Sequence, residues 1–433
     1  MQAIRASACG LYTEQAVKSN ICGMHLEEMS DQDLITVVIP NYNGMQYLGA
    51  CLDSILAGSL IPRIIVVDNA SKDGSRELVE EQYPMVTMLK LEVNTGFCHA
   101  VNAGIHITQT PYVMLLNNDT RVEPDCMERL LFAMENGRRL FSVQALMLSM
   151  RDPEVVDDAG DLYSALGWGF ARAKGKPRSA VQKRRVRRPV HIFAACAGAA
   201  LYRMDILTLI GGFDERHFCY LEDIDIGWRA QIAGYGNRMA PDAVVYHAGS
   251  ATTGSRYNAF KEIMTAGNNA YLLYKNMPFV QYWLNSPLWA LGRLIKTIYF
   301  DRMGLGDAYA QGLDRGRYLK AEDKTARRLA RSWLPYRKGS LSDEACVEAK
   351  KPVTAGEGKP EEARAEASEE ERKAAAEENV SYKGITVEDR ERTLDDVIPL
   401  YIGGKVPFAF RAIPRYVSIE GQLIAGCFRR LCN

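Results

Sequence analysis

Four residues stand out for the chemistry that their types and surroundings allow: Asp68, Asp119, Asp223 and His247. Asp68 closes the β-branched run RIIVVD, where a carboxylate can accept a hydrogen bond from the ring N–H of a pyrimidine base. The Asp-Asn-Ala-Ser turn that it opens accounts for the same residue as a capping group. Asp119 ends the triplet Asn117, Asn118, Asp119 after another apolar run. A hard cation such as Mg2+ commonly takes only one or two protein carboxylates beside phosphates and water, so a single Asp suffices, with Asn supplying a neutral oxygen or a hydrogen bond to a ribose. Asp223 lies in the first turn of a predicted helix, where the dipole favours an ionised acid, and a general base must be ionised before it can accept a proton. The dipole favours Glu222 and Asp225 equally. His247 follows the short run VVY; as a ligand it suits Mn2+ better than Mg2+, and a lone histidine serves as readily as a structural hydrogen-bonding group.

These residues need a scaffold, and from Leu34 onward short β-branched runs alternate with helical periodicity. LITVVIP, RIIVVD, VTMLKLE, YVMLLNND and FSVQALML read as successive strands. Leu48, Cys51, Leu52, Ile55 and Leu56 share one helical face, as do Met127, Leu130, Leu131 and Met134 after Pro124, and Ile224, Trp228, Ile232 and Tyr235. The pattern predicts an α/β fold, a Rossmann-like, mostly parallel sheet with helices on both faces. Strands that end in Asn or Asp direct polar groups into one crevice beyond their carboxyl ends.

Composition excludes several alternatives. The 53 basic and 53 acidic side chains cancel, so no global field holds the chain on nucleic acid. Ten cysteines without a C-x-x-C pair argue against a disulfide framework or a zinc site, and the first thirty residues lack a signal-peptide core; both point to the cytoplasm. No G-x-G-x-x-G follows the first strand and no P-loop occurs. Residues 1–33 are expected to be a disordered extension, of which Met1 to Gly23 adds nothing to the core. Residues 279–340 are expected to form a helical extension, 341–380 a charged linker and 381–433 an amphipathic segment. Phe279 to Phe300 is too interrupted to cross a membrane but suits lying on one, at the inner face of the cell membrane, and packing on the core or on a second copy is the competing reading. Eight Lys or Arg and no acid fall between Lys174 and Arg188, a run that is either a solvated loop or a grip for phosphate or anionic lipid.

VVIPNYNG, IIVVDNASKDGS, NTGFCHAVNAGI, LLNNDT, GGFDERHFCYLEDIDIGWRAQIAGY and VVYHAGSAT occur here in the order and spacing of family 2 glycosyltransferases. The chain resembles that family from about Ile35 to Met277, and most closely its rhamnosyltransferase branch. The resemblance implies a GT-A fold over 34–278, with a nucleotide-sugar half at 34–148 and an acceptor half at 149–278. It also implies inverting transfer of a sugar, rhamnose in that branch, from a dTDP or UDP donor to a glycan or lipid-linked acceptor in cell-wall or surface polysaccharide synthesis. By the same resemblance Asp223 is the catalytic base and Glu222 positions the acceptor, with Asp225, Trp228 and Arg229 beside it. Asp119 and His247 would hold Mg2+ or Mn2+, Asn117 and Asn118 standing where the family has another acid. Asp68 would read the base next to Pro40, Asn41 and Asn43, and Asn94, Gly96 and Asn102 would line the donor. A non-catalytic nucleotide-sugar or glycan-binding module of the same fold is the alternative, supported by the reduced acid triplet.

Overall fold

Alternation of side chains along the first strand already divides the interior in two. In the computed structural model, which describes residues 33–137, 139–182, 188–249, 257–333 and 412–431, β1 (Ile35–Asn41) sends Ile35, Val37 and Ile39 into one apolar core and Val38 into another. β4 (Tyr112–Leu116) repeats this, with Met114 and Leu116 on the first side and Val113 and Leu115 on the second. A strand buried on both faces needs helices above and below it. On the first side lie α1 (Met45–Leu56), α2 (Ser75–Gln82) and α4 (Cys126–Glu135). On the second lie α3 (Gly96–His106), α5 (Met204–Ile210) and the inner face of α6 (Glu222–Ala233).

The remaining strands are β2 (Arg63–Asn69), β3 (Thr87–Leu91), β5 (Thr120–Val122), β6 (Leu140–Ser149), β7 (Val156–Asp158), β8 (Asp161–Ser164), β9 (Trp168–Ala171), β10 (Val190–Ile192), β11 (Ala199–Arg203) and β12 (Gly236–His247). The sheet runs β10-β12-β6-β11-β4-β1-β2-β3, with β5 on β12 and β7 on β6, and β8 and β9 make a separate hairpin. β4, β1, β2 and β3 are parallel, as are β6 and β12; β11 runs antiparallel between β4 and β6. The expected α/β architecture is therefore present, with an inverted strand that the sequence did not announce. β11 is short and apolar, and nothing in AALYR encodes direction.

α7 (Ala259–Asn276), α8 (Phe279–Leu284), α9 (Ser286–Arg302), α10 (Gly306–Trp333) and α11 (Ile413–Leu431) follow. A third core joins α6, α7 and α11 through Trp228, Leu272, Tyr416, Ile419 and Leu423. The chain divides into two units, residues 1–326 with 399–433, and 327–398; the second is described only as the helical end of α10. The N-terminal extension, the charged linker and the start of the C-terminal segment lie outside the described residues.

Candidate functional site

β1, β2 and β4 end side by side, which brings their polar termini together. Asn41 donates from Nδ2 to Asp68 Oδ1 at 3.0 Å and to Ser75 Oγ at 2.9 Å, and accepts from Asn118 Nδ2 at 2.8 Å. Asp68 is fully buried; its other oxygen accepts from the Ser71 N–H at 3.0 Å and from Arg76. The expected base-reading carboxylate is thus already engaged by protein donors. Asn43, exposed, accepts from Lys72 N at 2.9 Å, and Pro40 is half-buried beside it.

On the far side of the same edge, antiparallel pairing of β5 with β12 sets His247 opposite Thr120, next to Asp119. His247 Nε2 lies 3.1 Å from Asp119 Oδ1 and its Nδ1 lies 2.7 Å from Asp157 Oδ2. Burial opposes charge on the ring, but the two carboxylates raise its pKa to about 9. Burial likewise opposes ionisation of Asp157, and His247 and Lys174 overcome it, bringing that carboxyl down to about 2. A carboxylate that fixes the second nitrogen of an imidazole is the usual support of a metal-binding histidine. Asp119 and His247 Nε2, facing each other with the ring so fixed, therefore fit a divalent cation. Asn118 is tied back to β1, and Asn117, half-buried, accepts at its carbonyl from Thr120 Oγ1 at 2.7 Å.

Four residues after Asp157, Asp161 starts β8 and hydrogen-bonds Asp223. The segment Asp157–Asp161 can span about 14 Å at most, so it ties the Asp119–His247 corner to the start of α6. Burial pushes the Asp223 carboxyl up, opposed by Asp161 and by the Ile224 N–H 2.7 Å away. Burial and the charges of Asp223 and Asp158 push Asp161 well above the carboxylate range. Burial thus raises both carboxyls, and two hydrogen-bonded carboxyls in one buried place share a proton as a pair. Glu222, 8% exposed, has Oε2 buried with no partner, and burial raises its pKa strongly. Glu222 thus presents an unpartnered carboxyl oxygen next to Asp223.

The expected acceptor contacts from the rest of α6 require correction. Asp225 is fully buried and accepts from Arg229 Nε at 2.9 Å, Lys275 Nζ at 2.8 Å and Asn276 Nδ2 at 2.9 Å. Arg229, equally buried, donates to the carbonyls of Ile210, Gly211 and Gly212. Trp228 packs at 5.5 and 5.3 Å against Tyr163 and Phe193. All three hold the helix in place; a period that buries Ile224 and Trp228 also turns Asp225 and Arg229 inward. Asn102 is corrected in the same way, because its amide clamps both the N–H and the carbonyl of Phe213. Gly96 has φ +85°, and a Cβ there would lie 2.5 Å from the Phe218 ring, so its close neighbour is Phe218. Asn94, exposed, caps that turn by accepting from Gly96 N at 3.1 Å.

Several site residues escaped the sequence reading. Asp157 and Asp161 lie in DDAGD, whose acids sit between apolar runs. Lys275 occupies a position three after Leu272 on the buried face of α7, where a lysine needs an acid; it bonds Asp214 at 2.7 Å as well as Asp225. Phe218, Tyr220 and Leu221, just ahead of Glu222, all have positive φ, which costs energy for residues with side chains. Asn268 Nδ2 holds this run through the carbonyls of His217, Cys219 and Tyr220, and Arg315 donates to Asn268 Oδ1 at 2.5 Å and to the Arg216 carbonyl at 2.7 Å.

Residues 36–210 match the model of the family described as Glycosyl transferase family 2. The chain carries a family 2 glycosyltransferase domain. Its mostly parallel sheet with helices on both faces is the α/β architecture expected from the sequence. Asp223 and His247 lie beyond the matched stretch. N-acetylglucosaminyl-diphospho-decaprenol L-rhamnosyltransferase of Mycobacterium tuberculosis is 29% identical over 245 residues, 51% of this chain and 78% of that protein. An uncharacterized glycosyltransferase of Escherichia coli, YaiP, is 27% identical over 231 residues, and the alignment spans about half of each, 49% and 51%. Among solved structures, a mannosyltransferase from Pyrobaculum calidifontis in complex with GDP-Man and Mn2+ is similar at a TM-score of 0.41 and 17% identity, over 74% of this chain and 80% of that one.

Proposed function

We propose that this chain is an inverting glycosyltransferase that moves a sugar from a nucleoside diphosphate donor to a hydroxyl of a glycan or lipid-linked acceptor in surface polysaccharide synthesis. The observation that carries this reading is the link through Asp157–Asp161 between a corner fitted for a cation and a buried carboxylate pair fitted for proton transfer. The mycobacterial relative supports rhamnose as the sugar and a diphospho-lipid as acceptor class, and dTDP or UDP as the carrier follows from the sequence resemblance.

In this mechanism the donor lies along the carboxyl ends of β1, β2 and β4. The acceptor enters beside Glu222, whose free Oε2 holds one of its hydroxyls. Asp223 takes the proton of the attacking hydroxyl as its oxygen bonds the anomeric carbon, and the nucleoside diphosphate leaves from the opposite face with the bonding pair. Asp161 orients Asp223, and its hydrogen bond opposes the effect of burial on that carboxyl. Mg2+ or Mn2+, held by Asp119 and His247, would neutralise the diphosphate charge. Replacing Asp119 with Ala should weaken donor binding at least tenfold and abolish its dependence on metal concentration, read by calorimetric titration of nucleoside diphosphate with and without Mn2+. Unchanged, metal-dependent binding in that variant would remove Asp119 from the role.

The same reading places the protein at a membrane surface. Among the described residues no helix is long and apolar enough to cross a membrane. α8 and α9 nevertheless expose Phe279 (75%), Trp283 (66%), Leu284, Leu291, Leu294 and Ile298, and from Phe279 to Phe300 there are two cations, Arg293 and Lys296, and no acid. α11 buries Tyr416, Ile419 and Leu423 against the core, so the packing expectation describes that face, while Val417, Ile424 and Phe428 are exposed. Glu420 of α11 accepts from Gln281 and Asn285, which puts the exposed row beside α8. A two-fold dimer through this surface would set cations against cations, whereas anionic lipid complements them. The chain should float with phosphatidylglycerol vesicles at low salt, and a Phe279→Ser, Trp283→Ser double variant should float several-fold less. A parent protein that stays at the bottom of the gradient sinks the membrane reading.

A further inference from the structure

β8 begins with Asp161, the partner of Asp223, yet it stands outside the central sheet. Among the described residues it pairs along its length with β9 alone, and one bridge, Asp161 to Ala194, ties it to the chain that follows β10. A two-stranded hairpin is marginally stable by itself, so its place beside α6 is set by what packs on it. Its turn leans on α9, where a Cβ on Gly292 would lie 2.0 Å from the Leu166 carbonyl oxygen. The strand itself leans on α11. There the Ala165 N–H donates to the Leu423 carbonyl at 3.0 Å, and a Cβ on Gly426 would lie 2.3 Å from the Tyr163 carbonyl oxygen. The missing side chain of Gly426 is what lets the two backbones come so close.

The same helix grips α6, which carries Asp223. Arg415 Nη1 donates to the Ile232 carbonyl at 2.9 Å, and Gln422 Nε2 donates to Gln231 Oε1 at 2.8 Å. Tyr163 of β8 closes the joint by packing at 5.5 Å against Trp228 of α6. α11 therefore bridges the two elements that each supply one carboxyl of the Asp161–Asp223 pair. A misplacement of about 1 Å between groups that must meet can cost on the order of 10² in rate. We propose that α11 is the brace that sets Asp161 against Asp223, and that Gly426 is the positioning residue through which it acts. The proposal rests on the glycosyl-transfer reading, in which Asp223 is the base, and adds what holds its partner in place.

Two glycines of one helix make the test, in the full chain. A Cβ on Gly421 would meet nothing within 4 Å, so Gly421→Ala adds helix propensity and no contact; Gly426→Ala adds the same propensity and forces the backbones of α11 and β8 apart. With Mn2+, kcat for hydrolysis of dTDP-rhamnose should fall at least tenfold in Gly426→Ala and stay within twofold in Gly421→Ala. Calorimetric affinity and stoichiometry for thymidine diphosphate should stay within twofold in both, which separates misplacement from a loss of folded protein. The acid limb of the kcat profile should move to higher pH in Gly426→Ala alone, because the Asp161 hydrogen bond opposes the effect of burial on Asp223. Glu222, Asp158, Cys196 and Tyr202, which also face the pair, are the same in both variants. Arg415→Gln, which frees the start of α11 from α6, should act in the same direction and serves if Gly426→Ala does not fold. Hydrogen exchange reads the brace without turnover: amides of β8 and of the first turn of α6 should exchange several-fold faster in Gly426→Ala than in Gly421→Ala. The proposal is overturned if the two glycine variants match in turnover or in exchange, or if Gly426→Ala loses nucleotide affinity in step with turnover. A parent that binds thymidine diphosphate and hydrolyses nothing counts against the glycosyl-transfer reading, and exchange still decides on the brace.

Discussion

Asp223→Asn should lower turnover by about 10² to 10⁴-fold while the donor still binds, because the amide keeps the shape of the side chain and loses its capacity to take a proton. The measurement is steady-state transfer or donor hydrolysis beside a calorimetric titration with nucleoside diphosphate and Mn2+. Asp161→Asn is the informative companion. It keeps a donor facing Asp223 without a titrating proton, so its loss should be much smaller than that of Asp223→Asn. If Asp223→Asn turns over at the parental rate, the base is elsewhere, and Glu222 becomes the candidate. Asp225 does not, since its carboxylate is saturated by Arg229, Lys275 and Asn276. A parent that binds nucleotide yet neither transfers nor hydrolyses would instead favour the binding-module alternative.

Lys275→Met should cost about 3–5 kcal/mol of stability, the range for removing one member of a buried ion pair, because Asp214 and Asp225 are then left facing each other with Arg229 on Asp225 alone. Urea unfolding followed by circular dichroism reads it directly. Burial alone would raise both carboxyls, but the Lys275 ammonium holds them below the ordinary carboxylate value. A depressed folded pKa contributes stability that is complete above about pH 4 and lost as pH falls through the lowered value. The parent should therefore lose stability in acid more steeply than Lys275→Met. A variant within about 1 kcal/mol of the parent, with the same acid profile, would mean that the network does not dock α6 on α7.

Sequence periodicity was informative where one physical force acted alone. Alternation in ITVVIP and YVMLL located strands buried on both faces, and the strand-end positions of Asn41, Asp68 and Asp119 indicated one edge, where all three lie. It was uninformative where a polar residue had two uses. Asp225 and Arg229 look like functional charges on a helix that begins with acids, and only the position of Lys275, fifty residues on, shows that they are structural. Asn102 presents the same ambiguity, resolved by Phe213. The proton relation of Asp161 and Asp223 was illegible for a different reason: helix-dipole arguments predict an ionised acid, whereas burial beside a second chain segment with its own carboxyl raises both.

The left-handed run Phe218, Tyr220, Leu221 has a practical corollary for anyone who wishes to graft the proposed catalytic centre into a transferase. Its shape is imposed by a side chain on α7 and another on α10, not by the residues that adopt it. A chimera cut at the end of the matched stretch would lack Asp223 altogether, and one cut just past His247 would carry the acid pair in its sequence but let the turn that aims it relax. The transplantable piece extends at least to Arg315, and exchanging Asn268 or Arg315 for the recipient's residues would be a way to detune the base without touching it.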